Sequence, residues 1–130
     1  MNGETMRTAL GVTKALADLQ RLRILLLLRD GERCVCQIVE VLALAPSTIS
    51  KHLSILSAAG LVDMRKEGRW AYYRLPEGAD LAGVRPVLTW LDDMLAQDTI
   101  IRQDAQRLKT ALNCAPQSLC QRQRQRGRKN

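Results

Sequence analysis

The order of apolar and polar positions predicts two helices in the first part of the chain. Apolar residues recur at helical spacing over residues 4–17 (ETMRTALGVTKALA). Asp18 then suits the N-cap of a second helix that contains RLRILLLL. Only Gln20, Arg21, Arg23 and Arg29 interrupt its apolar surface, so this helix is expected to be central and buried. Asp30-Gly31 predicts the turn that ends it.

Two more helices are predicted to follow, joined by a tight connection over residues 43–45. The first covers about residues 34–42. Pro46 suits the first position of the next helix, because its missing N–H has no partner there. That helix is expected to reach about Ala59 and to end at Gly60. The side chains predicted to face the core are Ile38, Val39, Val41, Leu42, Ile49, Leu53 and Leu56, with Ile55 as a further candidate.

After Gly60 the period of the pattern changes from helical to alternating. Residues 61–65 (LVDMR) and 70–75 (WAYYRL) read as two strands. Residues 66–69 (KEGR) lie between them and predict a turn, so the two strands should form a β-hairpin. A loop is expected over residues 76–80.

One long helix is predicted over about residues 81–112. It carries a heptad-like seam, whose members are Leu81, Val84, Leu88, Leu91 and Leu95. This seam either packs on the domain's own core or contacts a second subunit. Subunit contact is favoured, because the helix is longer than so small a core can cover. Residues 1–112 are therefore predicted to form the folded domain, and residues 113–130 a basic, disordered tail.

Composition and charge narrow this interpretation. The chain has no Phe, so its core must be built mainly from Leu, Val, Ile and Ala. Its net charge is +7, but five basic residues without an acid within 121–130 supply most of this excess. The charge alone is thus weak support for a polyanionic partner, and the tail is either a solvated end or an arm attracted to phosphates.

No apolar run approaches the ~20 residues that a membrane-spanning helix needs. The first residues, MNGETMRTALG, lack the layout of a secretory signal. We therefore expect a soluble, cytoplasmic protein with no membrane partner.

The helix that opens with PSTISKH is predicted to read DNA. In a helix–turn–helix, the second helix places its N-terminal side chains in the major groove. With Ile49 and Leu53 in the core, a polar face remains that suits phosphate and base-edge contacts: Ser47, Thr48, Ser50, Lys51 and His52. The hairpin would follow as a wing whose basic residues, Arg65, Lys66 and Arg69, reach the DNA backbone or minor groove. His52, the chain's one histidine, is expected to make a polar contact or to partner a neighbour rather than bind metal.

The stretch RLRILLLL…CVC…STISKHLSILSAAGLV…RKEGRWAYYRL resembles the ArsR family of metal-responsive winged-helix repressors. The resemblance covers about residues 14–76. It implies a mainly α fold with a small β-hairpin, arranged as a winged helix–turn–helix with helical dimerisation flanks. It also implies a homodimer that binds double-stranded operator DNA and dissociates when metal binds.

The candidate sensor is built from cysteines, which lie at positions 34, 36, 114 and 120. Clustered cysteines in a cytosolic chain are more typical of metal or redox chemistry than of structural disulfides. Thiolates prefer soft ions such as As(III), Sb(III), Cd and Pb. In a regular helix Cys34 and Cys36 would lie ~200° apart around the axis. Either the pair precedes the helix, or an ion that binds both unwinds its first turn.

The candidate site departs from the family's arsenic-sensing pattern, CVCxxC, because Val39 stands where the third cysteine is expected. Cys114, Cys120 or an external thiol could supply the third donor, or the tail thiols are incidental. Cd/Pb sensors of the family also show CVC but recruit cysteines that are usually N-terminal. No cysteine precedes Cys34 here, which favours As(III) or Sb(III) as inducer, with Cd/Pb as the alternative. The predicted last helix has Asp92, Asp93, Asp98 and Asp104 but no His, so the family's Zn, Co or Ni site is not expected.

Other classes of function stay open as alternatives. In a dithiol redox switch, Cys34 and Cys36 would oxidise, with Cys114 or Cys120 as further partners. A constitutive DNA-binding protein would respond to no effector. An enzyme is disfavoured, because one histidine leaves no nucleophile–base–orienter set and no glycine-rich phosphate loop is present.

Overall fold

The structure, a computed structural model, describes residues 3–128 and the side chains of residues 5–78 and 81–126. The elements in this part of the chain are α1 Gly3–Leu16, α2 Leu19–Leu27, β1 Arg33–Cys34, α3 Val35–Leu42, α4 Pro46–Ala58, β2 Asp63–Glu67, β3 Trp70–Arg74, α5 Ala79–Leu95, α6 Thr99–Leu112 and α7 Pro116–Arg128. The predicted fold, mainly α with a small β-hairpin, is confirmed.

Helix α2 is the centre of the core, as its apolar surface predicts. The carboxylate of Asp18 accepts hydrogen bonds from the backbone N–H groups of Gln20 at 2.8 Å and Arg21 at 3.2 Å. It therefore caps the helix as expected. Ile24 and Leu25 are buried at the middle of the domain.

Helices α3 and α4 meet at a sharp corner. The backbone of Ala43 adopts a left-handed conformation, with φ 56°, which turns the chain after α3. Pro46 begins α4 as predicted, and the two helices are bent relative to each other by 114°. This angle is typical of a helix–turn–helix.

One core prediction for α4 is wrong. Ile49, Leu53 and Leu56 are buried as expected, but Ile55 is 42% exposed. Ile55 lies ~200° around the helix axis from Leu53, so the two side chains cannot share the buried face.

The hairpin is confirmed, and the sheet contains one more strand. Strands β2 and β3 pair antiparallel from Asp63↔Arg74 to Glu67↔Trp70. Strand β2 runs two residues closer to the turn than predicted, whereas β3 begins at Trp70 as predicted. Strand β1 was not predicted and pairs with β3 on its other side, which gives the order β1-β3-β2. A strand of two residues carries no periodic signal of its own.

The predicted single helix over 81–112 is wrong, because the chain breaks after Leu95. Asp98 starts α6: its carboxylate accepts hydrogen bonds from the backbone N–H groups of Ile100 at 2.9 Å and Ile101 at 3.2 Å. Four members of the seam, Val84, Leu88, Leu91 and Leu95, pack on the chain's own core, and Leu91 is only 4% exposed. This is the alternative that the sequence disfavoured.

The predicted disorder of residues 113–130 is wrong for the part that the structure describes. Residues 116–128 form α7, which packs against α3. Leu119, at 0% exposure, anchors it in the core. The sequence signal was weak because α7 has few apolar side chains, and their burial depends on a helix far away in the chain.

Within residues 3–128, no single helix is long and apolar enough to cross a membrane. Helices α3 and α4 have the length and apolar composition of a membrane span only when they are counted together across the bend of 114° between them.

Candidate nucleic-acid interface and thiol site

The N-terminal half of α4 presents a free polar face. Ser47, Thr48, Ser50 and Lys51 are exposed, while Ile49 turns inward to the core. The sharp corner between α3 and α4 leaves this end of the helix uncovered by α3. Four of the five side chains predicted to read DNA are thus positioned to contact a ligand outside the domain.

His52 differs from the other four, because it faces α2. Its side chain is only 15% exposed, and its Nδ1 atom lies 3.4 Å from Nη1 of Arg21 and 4.0 Å from Oδ1 of Asp18. Arg21 can only donate, so Nδ1 accepts this contact. His52 was expected either to make a polar contact or to partner a neighbouring side chain. Its position fits the second role.

The wing, which is the β2–β3 hairpin, exposes Lys66 and Arg69 near its turn. Arg65 is engaged elsewhere. Its Nε and Nη2 atoms donate to the two carboxylate oxygens of Glu32, and Nη1 donates to Glu67 at 3.0 Å. Its guanidinium also lies 4.7 Å from the centre of the Tyr72 ring.

These contacts shift the pKa values of Arg65 and Glu32 in opposite directions. The hydrogen bonds that Arg65 donates to Glu32 and Glu67 raise the pKa of Arg65, and those donated to Glu32 lower the pKa of that carboxyl. Glu32, for which the sequence indicated no role, holds the Arg65 side chain back from the tip of the wing. Of the three basic residues predicted to reach DNA from the wing, Lys66 and Arg69 therefore remain free to do so.

Cys34 and Cys36 lie on different elements. Cys34 belongs to β1 and is the N-cap of α3, with φ −70° and ψ 147°, and its N–H donates to Oε1 of Gln37 at 2.8 Å. Cys36 lies in the first turn of α3. Because Cys34 is outside the helix, the angular separation expected for a regular helix does not keep the two thiols apart.

The fourth cysteine of the chain reaches this place from α7. Cys36 and Cys120 form a disulfide in the structure, with their Cα atoms 5.5 Å apart. Cys34, Cys36 and Cys120 line one cavity of about 670 Å³. The tail that was predicted to be disordered thus brings one of its two thiols to the CVC pair.

Cys114 lies elsewhere. Its Sγ atom accepts a hydrogen bond from Nη2 of Arg122 at 3.4 Å and contacts the carbonyl oxygen of Thr110 at 3.9 Å. Among residues 3–128, no group of three or more His, Cys, Asp or Glu side chains is arranged as a ready metal site. The four predicted thiol ligands are therefore not one preformed cluster.

Polar side chains of α7 fasten it to α3 beside the disulfide. Nε2 of Gln123 donates to the carbonyl oxygen of Cys36 at 2.8 Å and to Oε2 of Glu40 at 3.3 Å. Nη2 of Arg126 donates to Oε1 of Glu40 at 3.2 Å. Burial raises the pKa of Glu40, but the hydrogen bonds from Gln123 and Arg126 outweigh this and hold the pKa below its ordinary value of 4.5. Glu40 is too distant in sequence from Gln123 and Arg126 for any local pattern to indicate their contact.

The cavity joins the thiols to the predicted DNA-binding surface. Besides the three cysteines, its lining includes Ser50 of α4, Arg69 and Trp70 of the wing, and Arg124 of α7. A change at the thiols therefore occurs next to the elements predicted to hold DNA.

Comparison with known proteins identifies the family. Residues 18–64 match the family described as bacterial regulatory protein, arsR family. The chain is 38% identical over 92 residues to an uncharacterized HTH-type transcriptional regulator of Methanocaldococcus jannaschii, covering 70% of this chain and 99% of that protein. The chain belongs to the ArsR family. Its relatives are transcription regulators, and the chain is of that class rather than an enzyme.

Arsenic regulators are among the relatives of this ArsR-family chain. It is 44% identical over 86 residues to the arsenic resistance transcriptional regulator ArsR1 of Pseudomonas putida, covering 65% of this chain and 60% of that protein. It is 48% identical over 63 residues to the arsenical resistance operon repressor of Escherichia coli, covering 48% of this chain and 54% of that protein. The chain thus matches little more than half the length of these two relatives. A cadmium resistance regulatory protein CadC homolog of Staphylococcus aureus is 39% identical over 67 residues, covering 51% of this chain and 55% of that protein.

Solved structures agree with the winged helix–turn–helix assignment. HlyU from Vibrio cholerae has a TM-score of 0.63 at 32% identity, covering 72% of this chain and 97% of that chain; the reduced form of HlyU has a TM-score of 0.62, also at 32% identity, covering 73% and 96%. The homodimeric winged helix-turn-helix domain Mb0332 from Mycobacterium bovis has a TM-score of 0.62 at 31% identity, covering 75% of this chain and 86% of that chain. The predicted fold class is confirmed.

Proposed function

We propose that this chain is an arsenite- or antimonite-responsive repressor that binds operator DNA as a homodimer. The metalloid would bind the thiolates of Cys34, Cys36 and Cys120, and the dimer would then leave the DNA. The observation that carries this proposal is the meeting of Cys36 and Cys120 beside Cys34 in one cavity. The arsenic regulators among the relatives support the choice of inducer.

The chemistry of the three thiols suits a soft trivalent ion. Thiolates bind such ions in preference to harder donors. Cys120 supplies the donor that Val39 does not, and Cys34 lies outside α3 with its thiol lining the same cavity. In the reduced protein, a metalloid bound to Cys36 and Cys120 would take the place of the disulfide. Cys114 has no part in this site.

Binding at the thiols would act on DNA through α3. This helix packs against α4, and only three residues connect them. A metalloid that draws Cys34 towards Cys36 and Cys120 would displace the first turn of α3. A coupling free energy of ~1–3 kcal/mol would already weaken DNA binding ~5–150-fold.

The DNA contacts would come from α4 and the wing. Ser47, Thr48, Ser50 and Lys51 would enter the major groove, and Lys66 and Arg69 would reach the backbone. The dimer would form through the first helix and α5, which expose large apolar side chains. These are Met6, Leu10, Trp90 and Met94.

The test is fluorescence anisotropy of the reduced protein on the DNA upstream of its own coding region, titrated separately with arsenite, antimonite, Cd²⁺ and Pb²⁺. We expect arsenite and antimonite to release the wild-type protein. Cys34→Ser, Cys36→Ser and Cys120→Ser should bind DNA normally and respond weakly or not at all. The matched control, Cys114→Ser, should respond like the wild type. Release of Cys120→Ser at wild-type arsenite concentrations would refute the proposed ligand set, and release by Cd²⁺ or Pb²⁺ alone would favour the alternative inducers.

A second candidate function, a thiol redox switch, is favoured by the Cys36–Cys120 disulfide itself. The two thiols would give up two protons and two electrons to a peroxide, which becomes two molecules of water, and the new S–S bond would fix α7 on α3. Here release from DNA would follow hydrogen peroxide without metalloid and reverse with dithiothreitol. Cys34→Ser separates the two candidates, because it removes a thiol that the metalloid site needs and the disulfide does not.

A further inference from the structure

The C-terminal helix α7 lies beside the predicted DNA-binding surface. Arg124 lines the cavity that Ser50 of α4 and Arg69 of the wing also line. Arg69, Trp70 and Arg124 line a second cleft together with three glutamines of α7, which are Gln117, Gln121 and Gln125. A basic residue of α7 is thus close to one member of each element that is proposed to touch DNA.

The arginines of α7 differ in what they contact. Arg126 pairs with Glu40 of α3, and Arg122 donates to the sulfur of Cys114. Arg124 is exposed and has no carboxylate within ion-pair distance among the described side chains, and the same is true of Arg69. Two cations that share a cleft without an acid repel each other, and a phosphate placed between them would relieve this repulsion.

We propose that Arg124 is a DNA-backbone contact, so that α7 extends the phosphate-binding surface begun by Arg69. The proposal rests on the DNA binding put forward above and adds a residue to it. The occupant of the cleft is the sugar–phosphate backbone of the bound duplex. Serine and glutamine side chains around the two arginines can donate hydrogen bonds to phosphate oxygens.

The charge of α7 argues against the opposite role, in which the helix masks the DNA-binding face. A masking segment is expected to carry carboxylates that imitate phosphates. The sequence of α7, PQSLCQRQRQRGR, has no Asp or Glu. Its position and its charge therefore both fit a helix that binds DNA with the rest of the surface.

Arg124 also stands one helical turn after Cys120, so both project from the same face of α7. The thiol site and the proposed phosphate contact are thereby held on one short rigid element. Undocking of α7 from α3 would remove both from their places together.

The test compares Arg124→Gln with Arg122→Gln in the full-length reduced protein. Both changes remove one positive charge from the same helix, but Arg122 faces Glu40 and Cys114 rather than the wing. Affinity is measured by anisotropy over a range of NaCl concentrations, on the protein's own promoter duplex and on a scrambled duplex. Because K falls as salt rises, the slope of log K against log salt is negative, and each lost phosphate contact should reduce its magnitude by ~1.

We expect Arg124→Gln to make this slope shallower on both duplexes and Arg69→Gln to do the same. Arg122→Gln should leave the slope close to the wild-type value. Equal slopes for Arg124→Gln and Arg122→Gln would overturn the proposal. Tighter DNA binding by Arg124→Gln would overturn the proposal as well, because it would indicate that α7 masks the DNA-binding face. If the chain is not an operator-specific repressor, the wild type should bind both duplexes equally. The slopes measured on the scrambled duplex would still decide whether Arg124 contacts phosphate.

Discussion

Arg23 and Asp104 form a buried ion pair that joins α2 to α6. Nε and Nη2 of Arg23 donate to the two carboxylate oxygens of Asp104, each at 2.8 Å. The side chains are 11% and 4% exposed, and the hydrogen bonds that Arg23 donates to Asp104 raise the pKa of Arg23. Asp104 is one of the acidic residues that the sequence placed on the last helix, and its role here is to pair with α2.

Asp104→Asn should therefore strongly destabilise the domain, because it leaves a buried guanidinium without its counter-charge. The expected loss in the free energy of unfolding is ~3–5 kcal/mol. Asp92→Asn is the matched control: Asp92 pairs with Arg29 at 2.9 Å, but its side chain is 51% exposed. Its loss should be ~0–1 kcal/mol. Urea unfolding followed by circular dichroism measures both, and equal effects would contradict a structural role for the buried pair.

The docking of α7 should depend on pH through Glu40. The pKa of Glu40 is lowered in the folded protein, so its contribution to stability is present above the ordinary value of 4.5 and is lost as the pH falls through the lowered pKa. Amide protection factors of residues 116–126, relative to those of α2, should therefore drop as the pH falls below the ordinary pKa of 4.5.

Glu40→Gln is the control for this pH dependence, because it keeps a side chain that can accept a hydrogen bond but does not titrate. In this variant, α7 should be less protected at neutral pH and should lose little more in acid. A pH dependence that persists unchanged in Glu40→Gln would assign it to other carboxylates.

Leu119→Ala should release α7 while leaving the rest of the domain folded. Leu119 is completely buried, and a Leu→Ala change in a core typically costs ~2–5 kcal/mol. Here the loss should appear as faster hydrogen exchange in residues 116–126 and as weaker arsenite affinity, since Cys120 moves away from Cys36. Gln121→Ala, at an exposed position of the same helix, should change neither. Unchanged arsenite affinity in Leu119→Ala would argue that Cys120 is not a ligand.

The elements predicted correctly from sequence are those whose signals are local. Asp18 caps α2, Pro46 opens α4, and Gly60 has the positive φ of 77° that suits a glycine after a helix. Asp98 is a local signal of the same kind, since it caps the start of α6. The heptad-like spacing of α5 nevertheless predicts one helix that continues through Asp98.

The parts of the candidate site that were not predicted depend on contacts between distant residues. Cys36 and Cys120 are separated by 84 residues, and the sequence named Cys120 only as one of several candidate thiols. Glu32 and Arg65, 33 residues apart, show the same limit for the wing, since each looks like an ordinary surface charge in isolation. Such pairings follow from the fold and not from any spacing along the chain.

The proposed homodimer gives a final prediction at Trp90 and Met94. These side chains are 57% and 63% exposed, and they lie on one face of α5 because they are four residues apart. Exposed aromatic and Met side chains in one patch are typical of a protein–protein contact. A charge placed there would be buried without a partner in a dimer but solvated in a monomer. Trp90→Glu should therefore shift the protein to monomer in sedimentation velocity and weaken DNA binding, because one subunit reads only half of the operator. Gln97→Glu adds the same charge beyond the end of α5 and should leave both properties unchanged. A Trp90→Glu protein that sediments like the wild type would place the subunit contact on another face.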